Sequence, residues 1–253
     1  MGAGGEVIVQ QPSAVDAGPI VDVAWLQTSQ GKPGLRIVDA RPSPHYQMGH
    51  IPGAVSIDVN LIRVPDSTPN GITAFLDGAR AALRRAGVRA DERVVFYEDF
   101  SGASAARGVW MLDAIGHRNG AILDGGLHAW VNAGGQRTRE QAQVSPSELD
   151  VELDTTVLAL AEEIRAAVAE GGQMTVLDAR NDMEFHSGTI PGSIHVEWLQ
   201  HLQRDGTFRP LDELRALYHA AGIGTAQQGP VVSFCGSGYR SAHAYDESVE
   251  FYP

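Results

Sequence analysis

Two stretches of the 253-residue chain read alike, and their match constrains the fold more than any other feature. IVDARPSPHYQMGHIPGAVSID spans residues 37–58 and VLDARNDMEFHSGTIPGSIHVE spans 176–197. They align without a gap at an offset of 139, which pairs Asp39 with Asp178 and Gly53 with Gly192. A spacing that long points to a duplicated domain rather than to the short units of a solenoid. Each copy then repeats the same grammar. A β-branched run (LRIVDA; MTVLDA) predicts a buried strand. A polar segment and an Ile-Pro-Gly turn follow, proline presetting one dihedral and glycine permitting a positive one. ITAFLDGARAALRRAG and PLDELRALYHAAG carry apolar residues at three- and four-residue spacing with glycine at the end, and predict helices. ERVVFYE and GPVVSFC predict a second buried strand. Strands alternating with helices imply an α/β fold, each domain a mainly parallel sheet flanked by helices.

The expected halves are 18–135 and 155–253, joined by a polar, aperiodic linker over 136–154. TTVLALAEEIRAAVAEGG predicts a helix opening the second half, matched in the first by IVDVAWLQTSQG.

The net charge of −12 argues against nucleic acid and anionic membrane as partners. No apolar run approaches a bilayer span. The first residues, MGAGGEVIVQQPSAVDAGP, lack a basic segment ahead of a long apolar one, so the expectation is a flexible tail on a cytoplasmic protein. A single cysteine excludes an intrachain disulfide, leaving Cys235 as either a core residue or a reactive thiol.

Its surroundings favour reactivity. Cys235 follows a strand, at the sheet end where α/β proteins place their sites. Gly236 and Gly238 let successive backbone N–H groups turn inward into an anion-binding concavity, and a helix starting near Ser241 adds the positive end of its dipole. Both favour thiolate, the nucleophilic form. Arg240, turned inward, adds a full charge for an anionic substrate.

The loop pattern C-x-x-G-x-R over Cys235–Arg240, behind the two DAR and IPG segments, resembles the rhodanese sulfurtransferase family over nearly the whole chain, as two tandem rhodanese-like domains. The resemblance implies that Cys235 takes a sulfane sulfur as a persulfide and passes it to a thiophilic acceptor: cyanide, a thiol or a thioredoxin-like protein. It implies an inert first copy, since Glu98 stands where Cys235 does and a carboxylate cannot carry that sulfur. Gly236, Ser237, Gly238 and Tyr239 line the expected site with Arg240, and Arg180 aligns with an arginine that borders the pocket and binds the small anionic donor. Phosphatases of related fold use a loop one residue longer, and the smaller ring here suits sulfur better than phosphate.

Two donors compete. Cys-Gly-Ser-Gly looks like the 3-mercaptopyruvate class, but Tyr239 and Arg240 depart from it, Asn60 stands where that class has an aspartate, and no histidine follows. Thiosulfate is slightly favoured. Aligning YDESVEF with LDGGLHAW leaves about fifteen residues missing from the second copy, which predicts loss of the helix behind the loop and the strand after it; the competing reading is a non-catalytic rhodanese module for protein binding or regulation. His50, His117, His128, His186, His195, His201 and His243 are scattered rather than spaced as ligands, so no metal is expected, and no cofactor either. His50 is expected to stabilise its turn and Arg41 to serve structure.

Overall fold

Each repeat becomes a β-α-β unit that keeps its aspartate at the end of a parallel strand. The structure is a computed structural model that describes residues 18–66, 68–169, 174–224 and 229–251. The N-terminal half runs β1 (Ile20–Val21), α1 (Val23–Ser29), β2 (Leu35–Asp39), α2 (Ser43–Met48), β3 (Val55–Ser56), α3 (Pro69–Arg85), β4 (Arg93–Tyr97), α4 (Ala103–Ala114), β5 (Gly120–Leu123) and α5 (Gly126–Asn132). The C-terminal half runs α6 (Ala161–Ala169), β6 (Thr175–Asp178), α7 (Asp182–Ser187), β7 (Ile194–His195), α8 (Leu211–Ala220), β8 (Val231–Phe234) and α9 (Tyr239–Phe251).

The first sheet has the order β1-β5-β4-β2-β3, the second β7-β6-β8, and every pairing is parallel. In both, the DAR strand lies between its neighbours, with Asp39 opposite Tyr97 and Asp178 opposite Phe234. The Ile-Pro-Gly turns hold Gly53 and Gly192 at φ +80° and +81°, which a side chain would oppose.

The first sheet is covered on both faces. Val38, Val94 and Phe96 pack towards α3 and α4, and Ile37, Val95 and Tyr97 pack with Leu26 of α1 and Leu127 and Trp130 of α5. Phe208 and Ala242 of the second half join the larger of these cores, so the halves share packed interior. A smaller core of Leu177, Ala179, Val196, Tyr218, Ile223 and Ala244 serves the second sheet. β4 is buried at every residue, whereas β8 is half-buried at every residue.

The expected linker runs along the first half. Thr138 and His50 exchange backbone hydrogen bonds, Arg84 donates to the carbonyls of Glu148 and Leu149, and Leu149 is buried. The His50 ring nitrogens also face the carbonyls of Tyr46 and Glu140 at 2.9 and 3.1 Å, a structural role.

Two expectations need correction. The helix over TTVLALAEEIRAAVAEGG is shorter: 155–157 form a 3-10 turn capped by the Asp154 side chain, and Leu158 is extended. Local β-branched residues and a competing cap outweigh the helical spacing there; residues 170–172 lie outside the described set, as do the expected N-terminal tail up to residue 17 and the last two residues. The helix behind the cysteine loop, expected to be lost, is formed: α9 begins at Tyr239, buries Ala242 and Ala244, and packs against α4. Those residues prolong the helix instead of forming the turn to which YDESVEF was aligned. No strand follows α9 among the described residues, and none of the described helices is long and apolar enough to cross a membrane.

Candidate active site

Phe234 ends β8, and the chain then curls over four residues into α9. Gly238 makes the curl possible at φ +84°, while Gly236 has no such constraint. The turn aims donors at Cys235. The Gly238 N–H donates to Sγ at 3.1 Å, and the Ser241 hydroxyl stands 3.6 Å away. The backbone N–H groups of Ser237 and Ser241 point at the same atom. Burial pushes the thiol up, but these donors more than offset it and hold Cys235 below the ordinary thiol range. The arrangement is a thiolate at the N-terminus of a thirteen-residue helix, still partly open to solvent. Ser233 secures the junction by donating to the Ser241 carbonyl at 2.9 Å.

The other sequence-derived residues fall into three groups. Gly236 and Ser237 form the exposed rim. Arg240 lies beside Gly236 and grips both oxygens of Glu184 at 2.5 and 2.9 Å; that pairing, against some loss of hydration, and the nearby Cys235 strengthen its hold on the proton. Tyr239 is turned into the contact between halves, its hydroxyl donating to the Val59 carbonyl at 3.0 Å.

Arg180 reaches the site from behind. Its Nε and Nη2 bind both oxygens of buried Asp178, Nη2 also donates to the Gly188 carbonyl, and the guanidinium lies 5.3 Å from the centre of the Phe234 ring. Arg41 repeats this geometry on Asp39 and Gly49, confirming its structural role, but its Nη1 also binds Asp99 at 2.8 Å. Aligning Glu98 with Cys235 places Gly236 where Asp99 stands. Nη1 of Arg180 accordingly has no partner among the described residues.

The Glu98 loop shows what the cradle does with a built-in anion. The Glu98 carboxylate accepts the Ser104 N–H at 3.2 Å, and a Cβ at Gly102 would fall 1.4 Å from its Oε1. Burial pushes its carboxyl up by more than the Ser104 hydrogen bonds pull it down.

Sequence reasoning missed Ser241 as a sulfur ligand, Glu184 as the partner of Arg240, and Arg107, which reaches the loop from the other half with Nη1 at 3.4 Å from the Gly238 carbonyl. Ser241 had a signal, because it aligns with Ser104 in the same register. Glu184 had one in part: with Asn181 it forms the capping box that starts α7.

A family model described as a rhodanese-like domain matches residues 22–133 and 160–250. A thiosulfate sulfurtransferase of Corynebacterium glutamicum is 30% identical, over 89% of this chain and 79% of that protein. A 3-mercaptopyruvate sulfurtransferase of Escherichia coli is 28% identical, over 88% and 85%. The crystal structure of SseA from Escherichia coli, described with the rhodanese fold of 3-mercaptopyruvate sulfotransferases, superposes with a TM-score of 0.77 at 26% identity, covering 93% of this chain and 95% of that one.

Proposed function

The chain belongs to the rhodanese-like family, and from that premise we propose that it is a sulfurtransferase in which Cys235 carries sulfur as a persulfide. The observation that carries the reading is the Cys235 sulfur, half-open and ringed by the N–H groups of Ser237, Gly238 and Ser241. With thiosulfate, the thiolate attacks the outer sulfur, the S–S bond to the sulfonate breaks, and sulfite leaves with the electron pair. The terminal sulfur of the persulfide then occupies the same donor ring, which stabilises its charge as it did the thiolate. A thiophilic acceptor attacks that sulfur: cyanide leaves as thiocyanate and Cys235 returns as thiolate. Acceptor thiols, free or on a thioredoxin-like protein, would take the sulfur by the same displacement.

The donor's negative charge is met by Arg240 and by the unpaired Nη1 of Arg180, two fixed cations on a chain whose net charge is −12. Thiosulfate is the proposed donor. The exposed Ser237 has no histidine–carboxylate partner among the described residues, and Asp58 is occupied with Asn60, so nothing here prepares a proton relay for a keto acid. Residues 18–135 form the inert half, 136–154 the linker and 155–253 the active half, and the proposed location is the cytoplasm.

The test is thiocyanate formation from cyanide, with thiosulfate and 3-mercaptopyruvate offered separately and Cys235→Ser as control. The expected result is turnover that prefers thiosulfate and disappears in the variant. Turnover that survives Cys235→Ser would overturn the persulfide, and a preference for 3-mercaptopyruvate would overturn the donor assignment.

A further inference from the structure

Arg107 belongs to the half without the cysteine, yet it ends at the cysteine loop. It projects from α4, is 3% exposed, and has no carboxylate partner among the described residues. Aromatic rings take that place: its guanidinium carbon lies 4.2 Å from the Trp110 centroid, 5.2 Å from Phe75 and 5.5 Å from Tyr239. Its one hydrogen bond to the other half goes to the carbonyl of Gly238. A Cβ on Gly238 would fall 2.7 Å from Nη1, so the guanidinium also abuts the α-carbon of that residue. Gly238 is the residue whose own N–H donates to Cys235 Sγ at 3.1 Å. Arg107 therefore fixes the peptide that presents a sulfur-facing donor.

We propose that Arg107 is a positioning residue for sulfur transfer, supplied by the inert half: it locks Gly238 and places an uncompensated positive charge behind the Cys235 thiolate. The inference rests on Cys235 as the sulfur carrier. Two features give the charge its weight. Arg240 and Arg180 each share their charge with a carboxylate, Glu184 and Asp178, whereas Arg107 has none among the described residues; Tyr239 is neutral, its pKa raised by burial, and Arg63 and Asp58 face it with opposite charges. Arg107 lies where water is excluded, so its field is poorly screened. Burial lowers its own pKa to about 10, against attraction to Tyr239 and Cys235, which leaves it charged at neutral pH. The amide donors act on the sulfur more strongly; Arg107 sharpens their aim and adds to their field.

A crossed partner supports a designed hold rather than an accidental contact. His243 of α9 donates from Nε2 to the carbonyl of Ser101 at 3.0 Å, and Ser101 aligns with Gly238 in the register that pairs Glu98 with Cys235. Each helix behind a loop thus grips the same peptide of the opposite loop.

The test is the pH profile of Cys235 alkylation by iodoacetamide on the full chain, with sulfur transfer followed in parallel. Arg107→Met removes the charge. Arg107→Gln removes it but keeps a donor for the Gly238 carbonyl, and decides the question if the Met variant does not fold. The expected result is a curve moved to higher pH, with alkylation at pH 7 slowed roughly three- to tenfold, and Arg107→Lys restoring most of the rate. A folded neutral variant with the wild-type curve overturns the proposal. So does a Lys variant displaced as far as the Gln variant, because that assigns the effect to packing. Alkylation needs no turnover, so its outcome stands apart from whether Cys235→Ser abolishes transfer.

Discussion

The Glu98 and Cys235 loops are the same device holding different anions. Each follows a parallel strand and leads into a helix whose serine N–H points back at the acidic side chain, Ser104 in one and Ser241 in the other, though the Cys235 loop turns at a positive-φ glycine, Gly238, and the Glu98 loop has none. Burial opposes ionisation in both. It wins over Glu98, whose carboxyl is raised, and loses over Cys235, whose thiol is lowered, because more donors converge on the sulfur. The carboxylate also fills its cradle up to Gly102, whereas the cysteine leaves the rim at Gly236 and Ser237 open to a donor molecule. Both halves thus carry a cradle of backbone donors at the same strand end, one around a carboxyl group and the other around a thiol.

The strongest way to break that comparison is to exchange the occupants' chemistry. Cys235→Ser should cut thiocyanate formation at least about a thousandfold, while Glu98→Gln should leave it within about twofold; a large loss in the Gln variant would mean that the first cradle takes part in turnover. Stability should divide the other way. Phe96 on β4 is fully buried, and Phe96→Ala should cost about 3–5 kcal/mol in urea unfolding. Val232→Ala, on the half-buried β8, should cost about 1 kcal/mol. Equal costs would show that the two sheets are equally well covered.

Acid separates the halves through buried groups. His243 is held neutral by burial, its pKa lowered from 6.5 to about 4 against one hydrogen bond to Ser101. Its contribution is complete above pH 6.5 and fades as pH falls through 4, because the unfolded chain takes a proton the folded one refuses; the loss is ~3 kcal/mol. Asp113, raised by burial from 3.8 to about 6, acts in the opposite sense: its contribution is complete below 3.8 and is lost as pH rises through 6. Between pH 4 and 6 Asp113 offsets part of the acid loss that His243 and its buried partner His201, held neutral in the same way, bring. Asp113→Asn should therefore uncover a steep loss of stability on acidification, read by urea unfolding at pH 7, 6, 5 and 4.5, and curves parallel to wild type would refute the pairing.

The smallest effect concerns the arginines. Gly236→Asp restores, in the second half, the carboxylate that pairs with Arg41 in the first. The KM for thiosulfate should rise about tenfold by occupying Nη1 of Arg180 and repelling the dianion. An unchanged KM would remove Arg180 from donor binding.

The repeat made most of this legible. Once the DAR and IPG segments align, two parallel-sheet halves follow, and with them the strand ends that carry Glu98 and Cys235. What stayed hidden depends on contacts between segments far apart in the chain. Glu184 meets Arg240 across 56 residues, because α7 and the loop share one end of the second sheet. Arg107 meets Gly238 across 131 residues, through the packing of α4 on α9, which no local pattern encodes. The start of the second half departs from its sequence pattern for a different reason: an apolar period is present, but Asp154 captures the Thr156 N–H and turns the chain early.

The crossed grips of Arg107 on Gly238 and His243 on Ser101 bear on how such a duplicated gene can change. Position 98 can change without disturbing the second half, since nothing in the second half touches that side chain among the described contacts. Positions 107 and 243 are not free in the same sense, because each side chain is a fastening on the opposite loop. Each half thus offers the other a surface against which a loop is set, so a change on one side of a grip reaches the loop on the other side.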